Sequence, residues 1–237
     1  GIIHKNVINV IGQGCCIDPI ELINEIMELR LLGYKVDTTN LLISENCHVI
    51  SRSHKDLDNI NGGILGTTKR GVGPCYSDKA NRTGFRFSQF LNKEYIKKNF
   101  HSNFDFAFPN YDDIVSFFKH YCVDTTDYIH TVINNGERAL VEGAQGLDLD
   151  LDSGYYPYVT SSNCTIGGVL TGLGVNHKMI GTVYGVTKSY STRVGVGPFL
   201  TEMDDSESNK FREIGKEYGA TTGRARKIGW LAVPQLK

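Results

Sequence analysis

Glycine is the strongest constraint on how this chain folds. It carries 26 glycines, gathered at 66–73, 143–154, 167–174, 195–197 and 219–223. Apolar runs and amphipathic stretches lie between the clusters, with no internal repeat or low-complexity tract. Glycines clustered in loops let the backbone approach a bound molecule closely. The 237 residues are 40% apolar, enough to bury a sizeable core, and 1–237 reads as a single domain.

An apolar run over 7–11, closed by Gly12, reads as a buried strand. Asp18, Pro19 and Gly33 then bracket 20–32 as a helix: a carboxylate cap, proline at the first helical position, glycine past the end. Residues 41–44 and 48–50 read as strands and 51–59 as a short polar helix. The stretch 62–83 shows no apolar period and reads as an extended loop, long enough to be functional. Helical spacing over 81–98 and 111–135 predicts a helical subregion around 84–135. Residues 139–142 and 181–188 read as strands, 165–173 and 210–218 as helices. This alternation predicts an α/β fold with a mainly parallel central sheet flanked by helices, its functional loops at the strand carboxyl ends.

Charge excludes several classes of function. With 25 basic and 26 acidic residues the net charge is −1, so no global field draws the chain to nucleic acid or to an anionic membrane. No apolar run approaches the roughly 20 residues of a membrane span. The six cysteines (15, 16, 47, 75, 122, 164) show no CxxC spacing and read as small buried hydrophobes of a reduced, cytoplasmic protein. Asp148, Asp150 and Asp152 alternate with leucines and on a strand would share one face, as a metal site requires. A turn with one Asp capping Gly154 is the simpler reading, and no metal site is expected. None of the seven histidines sits in an HxxxH or HExxH pattern, so none is a candidate base. With neither an initiator methionine nor a signal peptide, the sequence reads as part of something longer.

Four loops carry ligand chemistry. Gly66 to Pro74 puts Thr67, Thr68, Lys69 and Arg70 among glycines, a phosphate cradle of hydroxyls, cations and backbone N–H groups, though it is not a Walker-type loop. Gln145 sits between Gly143 and Gly146 at a predicted strand end, where its amide can read a base edge. Thr160, Ser161, Ser162 and Asn163 follow the aromatic brace of Tyr156 and Tyr158. One of them suffices to cap the next helix, so the surplus points to an anion at its N-terminus. Arg224, Arg226 and Lys227 beside Thr221 and Thr222 suit an anionic substrate, because arginine grips carboxylate and phosphate with two N–H groups.

The set GTTKRGVGPCYSDKANRTG, VEGAQG, YYPYVTSSNCTIGGVLTGLG, KSYSTRVGVGPF and GATTGRARKIGW, in that order, closely resembles the adenylosuccinate synthetase family. The resemblance implies GTP-dependent ligation of L-aspartate to IMP, with Mg²⁺, on a homodimer with an α/β fold. It implies that Thr68 and Thr160 contact the IMP phosphate and that Gln145 orients the purine 6-oxygen. Arg82 would reach the neighbouring subunit's IMP phosphate. Ala220, Thr221, Thr222, Gly223 and Arg224 would form the aspartate loop, with Arg224 also at the IMP ribose, and Arg226 would face GTP.

The departures from the family pattern carry their own expectations. The family's glycine-rich GTP-phosphate loop, its catalytic aspartate and histidine, and its guanine-reading TKLD-like segment find no match in these residues. The Mg²⁺ ligands are therefore expected outside this chain, and the chain alone is expected to be inactive. Ala225 and Ala232 stand where the family usually carries charge, and Lys227 where it usually has Arg. The alternative reading is a non-catalytic IMP-binding module.

Overall fold

A computed structural model describes residues 1–61, 63, 66–99, 108–219 and 223–236. Its strands begin with β1 (Asn9–Ile11) and β2 (Cys16–Ile17), which belong to two separate sheets and are parted by a turn in which the Cys15 N–H bonds the Gly12 carbonyl at 3.0 Å. Helix α1 (Pro19–Leu31) carries the chain over to β3 (Leu41–Ser44) and β4 (His48–Val49). A matching turn interrupts these two, closed by the Cys47 N–H on the Ser44 carbonyl at 3.2 Å. β1 pairs with β3, and β2 with β4, both in parallel. The parallel pairing thus resumes past a matched interruption, across which the buried Cys47 thiol donates to the Gly12 carbonyl at 3.1 Å.

The cap of α1 is the one its sequence implies. The Asp18 carboxylate accepts from the N–H groups of Ile20 and Glu21 at 3.1 and 3.2 Å, with Pro19 behind it and Gly33 at φ +87° beyond the end. Ile26 faces the core, and Arg30 folds back in the last turn onto the Val36 carbonyl and, at 2.9 Å, the Tyr121 hydroxyl. Helix α2 (Arg52–Asn61) agrees with the polar helix expected there.

Residues 62–83 are not all loop, because α3 (Val72–Asn81) lies within them. Gly71, Gly73 and Pro74 disguise it as a turn, and its apolar face amounts to little beyond Cys75. The predicted helix over 81–98 is two: α4 (Phe87–Leu91) and α5 (Lys93–Asn99), divided where Asn92 turns extended and caps the second through Tyr95 N–H. The stretch 111–135 divides into α6 (Tyr111–Phe118), β5 (Cys122–Val123) and α7 (Thr125–Asn134). β5 pairs in parallel with β3 and completes the order β1-β3-β5, so the expected helical subregion also supplies a sheet strand. Two residues are too few to show a period.

Past α7, helix α8 (Ile166–Leu173) falls where expected. Residues 139–142 and 181–188 form no strand. A strand exists only through a ladder, and among the described residues neither segment has a neighbour to bond. Leu140 is 94% and Val186 97% exposed. The last elements are β6 (Tyr190–Arg193), α9 (Asp205–Gly215) and β7 (Lys227–Trp230), with β6 and β7 antiparallel. Helix α9 starts five residues before the expected 210 because Asp204 caps it through Ser206 and Glu207, and its first turn is wholly polar.

The core sits between the sheet and α1, α4 and α6. Ile26, Ile43, Val49, Phe87, Phe90 and Phe118 are all but inaccessible, and the Phe87 and Phe118 rings meet edge to face at 5.4 Å. Phe118→Ala empties the centre of this cluster and lowers stability by about 3–5 kcal/mol in urea unfolding. Leu31→Ala, at a largely exposed position, stays within about 0.5 kcal/mol.

Candidate functional site

The amino-terminal end of α3 is built to present positive backbone dipoles. Gly71 stands before it at φ +77°, where a Cβ would lie 2.8 Å from the Lys55 nitrogen, so glycine is required twice over. The helix start has no side-chain cap and no acidic residue in its first turn, which leaves its dipole available to an anion. The preceding loop is held from behind by the buried Asp58, which accepts from the Thr67 hydroxyl at 2.8 Å and the Gly71 N–H at 2.9 Å. Two further contacts fix the helix. The Ser51 N–H donates to His54 Nδ1 at 3.0 Å, so Nε2 carries the proton it shares with Asp78 at 3.0 Å. The Tyr76 hydroxyl donates to the Gly14 carbonyl at 2.6 Å.

The hydroxyl run of 160–163 lies against this helix end. A Cβ on Gly73 would be 3.2 Å from Ser161 Oγ. The run owes its shape to Asp150, 1% exposed, which accepts from the N–H groups of Asp152 and Ser153 at 3.0 Å and from those of Cys164 and Thr165. Hydrogen bonds from Ser153, Cys164, Asp152 and Thr165 hold its carboxyl down to about 2, against the cost of burial. Asp150 thereby holds the approach to α8, while the helix itself has no side-chain cap at its Thr165 N-cap position. Thr160, half-buried, bonds through its N–H to the Leu149 carbonyl at 2.8 Å. The Asp148–Asp152 alternation is not a strand, since 147–149 is a 3₁₀ turn, and Asp150 alone of the three is buried.

Gln145 is held at φ +54°, a costly conformation for a residue with a Cβ and one that collects at functional sites. Its side chain is exposed beside Cys164, whose thiol points to Gln145 Oε1 at 3.7 Å.

The basic turn meets the same loops. Arg224 Nη1 donates to the Gly66 carbonyl at 3.2 Å, and a Cβ on Gly66 would lie 3.5 Å from Gly195. Three of the glycine clusters therefore converge beside the exposed Thr68. Within the turn Gly223 adopts φ +63° and its N–H bonds the Gly219 carbonyl at 2.8 Å. Ala220, Thr221 and Thr222, expected in the aspartate loop, lie outside the described residues.

Arg226 does not join Arg224. It turns to Glu217, 5% exposed, with Nη1 on Glu217 Oε2 at 2.8 Å. Glu217 Oε1 accepts from Lys188 Nζ at 2.7 Å and the Tyr190 hydroxyl at 2.6 Å. Burial works to raise this carboxyl, but the hydrogen bonds of Lys188 and Tyr190, with the Lys188 and Arg226 charges, hold it below its ordinary value. Arg82 stands apart as well. It closes α3 at φ +63°, exposed, with the whole ten-residue helix, about 15 Å, between it and Gly71.

Sequence reasoning missed the α3 end, Asp58 and Glu217. A lone Asp-Asn or Glu-Tyr in a sequence carries no motif, and only Gly71 signals a special backbone. A cavity of about 330 Å³ between Asp18, Ser51, Arg52 and Phe108 is lined by none of Thr68, Gln145, Thr160, Ser161 or Arg224. The chemistry of the converging loops is the better guide to the site. Among the described residues no three Asp, Glu, His or Cys side chains converge to hold a metal ion, and no helix is long and apolar enough to cross a membrane.

Asp150 makes part of the stability pH-dependent. Its folded pKa of about 2 lies below the ordinary carboxylate value near 4, so its contribution is complete above about pH 4 and is lost as pH falls toward 2. Thermal unfolding between pH 7 and 2 shows a steep drop below pH 4 for the parent chain. Asp150→Asn starts from a lower midpoint and loses less over the same interval.

A profile of the adenylosuccinate synthetase family matches residues 1–237. The adenylosuccinate synthetase of Clostridium acetobutylicum is 41% identical across all of this chain, which covers 61% of that protein. The one from Thermoanaerobacter sp. is 42% identical with the same coverage. The fully ligated adenylosuccinate synthetase from Plasmodium falciparum superposes on the whole chain with a TM-score of 0.91 at 37% identity, and 60% of it is covered. The succinoaminodeoxyadenylate synthetase of cyanophage S-2L, 22% identical with a TM-score of 0.68, shares the fold. The chain spans about three fifths of the length of these relatives. Over that span its fold is that of the adenylosuccinate synthetase family, to which the chain belongs.

Proposed function

We propose that the chain carries the IMP- and aspartate-recognising part of an adenylosuccinate synthetase, a ligase that uses GTP and Mg²⁺ to join L-aspartate to IMP in AMP biosynthesis. The observation that carries this reading is the α3 amino-terminus, held by Asp58, with Thr68, Ser161 and Arg224 gathered around it. Backbone N–H groups at a helix end together with hydroxyl donors match a 5′-phosphate. Thr68 and Thr160 donate to its oxygens. Gln145 presents an amide to the purine 6-oxygen, and the same amide can accept from the neighbouring ring N–H.

Arg224, at the mouth of the glycine loop, pairs with an aspartate carboxylate and the ribose, as the family pattern implies; that pattern also assigns Ala220, Thr221, Thr222 and Gly223 to the aspartate loop. Arg226 belongs to the GTP side in that pattern. Its ion pair with Glu217 supports a positioning role, holding the turn that carries Arg224. Arg82 suits a homodimer, because an exposed arginine a full helix away from its own phosphate site is free to serve a neighbour's. Mg²⁺ supplies charge neutralisation in phosphoryl transfer. The described residues offer it no cluster of ligands, so no step is derived through it. The exposed apolar segments 139–142 and 181–188 fit a sheet completed by residues of the full-length family enzyme. A reduced, cytoplasmic setting agrees with six free thiols.

The second reading, an IMP-binding module without catalysis, is favoured by the three-fifths coverage of the relatives. Adenylosuccinate formation followed by absorbance with IMP, aspartate, GTP and Mg²⁺ separates the two.

Calorimetric titration tests the phosphate site. IMP binds more tightly than inosine by about 100-fold, and Thr68→Val or Thr160→Val each weakens IMP by about tenfold, the worth of one hydrogen bond to a charged group. Equal affinity for IMP and inosine, or no IMP binding by the folded chain, removes the proposal. Arg82→Leu leaves the fold intact and weakens IMP about tenfold or more, with a dimer seen by sedimentation. Parent-like IMP affinity in that variant removes the shared site.

A further inference from the structure

The basic turn is the tip of a hairpin whose base is built around one buried carboxylate. The Arg226 N–H bonds the Glu217 carbonyl at 2.9 Å, the Gly219 N–H bonds the Arg224 carbonyl at 2.8 Å, and Tyr218 faces Ala225 across an antiparallel bridge. Glu217 is thereby paired with Arg226, and Gly219 with Arg224. Side chains two apart on a strand share a face, so this pairing puts Arg224 and Arg226 on one side of the hairpin. Two like charges there would repel, and either could meet an anion. Glu217 settles which one does. Its Oε2 accepts from Arg226 Nη1 at 2.8 Å, and Arg226 Nε is buried, whereas Arg224 is exposed. The same carboxylate ties the hairpin to the antiparallel strands. Its Oε1 accepts from Lys188 Nζ at 2.7 Å and the Tyr190 hydroxyl at 2.6 Å, at the entry to β6, and β6 pairs with β7 just past Arg226. Arg212 closes the frame from α9, with its Nε on the Arg226 carbonyl at 3.2 Å.

We propose that Glu217 is the positioning residue of this hairpin: it withholds Arg226 and leaves Arg224 as the arginine presented to a carboxylate of a small dicarboxylate ligand. The ligand's identity rests on the aspartate-loop reading above, and the choice between the two arginines rests on the hairpin geometry alone. Glu217 itself touches no ligand. With its carboxylate in place the hairpin offers one guanidinium, which matches one carboxylate through two N–H groups. Without that carboxylate Arg226 loses its partner and repels Arg224, and the base of the hairpin loosens.

Phenylglyoxal, an arginine-selective reagent, is applied to the folded parent chain and to Glu217→Gln, and the labelled sites are mapped by peptide fragmentation. In the parent chain Arg224 reacts ahead of Arg226, and IMP with L-aspartate slows Arg224 alone of the two. Glu217→Gln brings the Arg226 rate up to that of Arg224. Calorimetry with IMP present shows the aspartate affinity of this variant lowered about tenfold, the worth of one hydrogen bond between charged groups, with IMP affinity parent-like. Tyr190→Phe keeps the ring against Phe211 and the Arg226 ion pair, and changes aspartate affinity less than about threefold. Arg226 labelled as fast as Arg224 in the parent chain overturns the proposal, and that map decides the matter if Glu217→Gln does not fold. So does parent-like aspartate affinity in Glu217→Gln, or a fall in IMP and aspartate affinity together, the mark of a merely structural role. A parent chain that binds IMP and takes no aspartate contradicts the aspartate-loop reading, and the labelling rates then decide the seating of Arg226 by themselves.

Discussion

The site depends on one kind of interaction, a buried carboxylate that accepts hydrogen bonds from a loop and so leaves the loop's outer groups free. Asp58 does this for 67–71, Asp150 for 150–165 and Glu217 for the turn closed by Arg226. All three carboxylates are less than a tenth exposed. A buried charge is tolerable only when its acceptor sites are filled, and each is filled by the backbone N–H groups, hydroxyls or cations of the loop it organises. The glycines supply backbone shapes no other residue would take, and the carboxylates fix those shapes. With N–H groups tied at the back, Thr68 and Ser161 lie on the outer side of these loops, with Arg224 on the Gly66 carbonyl and Gln145 beside the Cys164 thiol.

The parallel pairs β1–β3 and β2–β4 make this possible. Their matched interruption brings Gly14 within reach of Tyr76 and of α8, where its N–H bonds the Gly172 carbonyl at 2.9 Å. The sheet therefore holds α3 and α8 at once, and the anion-facing end of the one sits beside the hydroxyl run that precedes the other. The aromatic core around Phe87, Phe90 and Phe118 contains none of the residues gathered at the α3 amino-terminus and carries stability rather than chemistry.

Much of this was legible in the sequence where local chemistry decides structure. Asp18-Pro19 and Gly33 define α1 by themselves, and the Leu41–Ser44 run needs only its apolar content to be a buried strand. Helix α3 was hidden because its stability is tertiary, coming from Asp58, from His54 on Asp78 and from Tyr76 on Gly14, while its own sequence reads as a turn. Residues 139–142 and 181–188 show the converse: apolar alternation records a capacity to pair, and pairing needs a neighbour. In the site, the hydroxyls and Arg224 were visible by their type. Which arginine of the basic turn faces outward was not, since a cluster of charges does not say which of them will meet a buried glutamate.

The most direct test of the phosphate cradle is a nitrogen–proton correlation spectrum of the labelled chain during IMP titration, followed at the Val72 and Gly73 amides. If the α3 amino-terminus receives the 5′-phosphate, these two resonances move furthest downfield and their exchange with water slows. IMP binding that leaves both unmoved would place the phosphate elsewhere and contradict the central role given to this helix end.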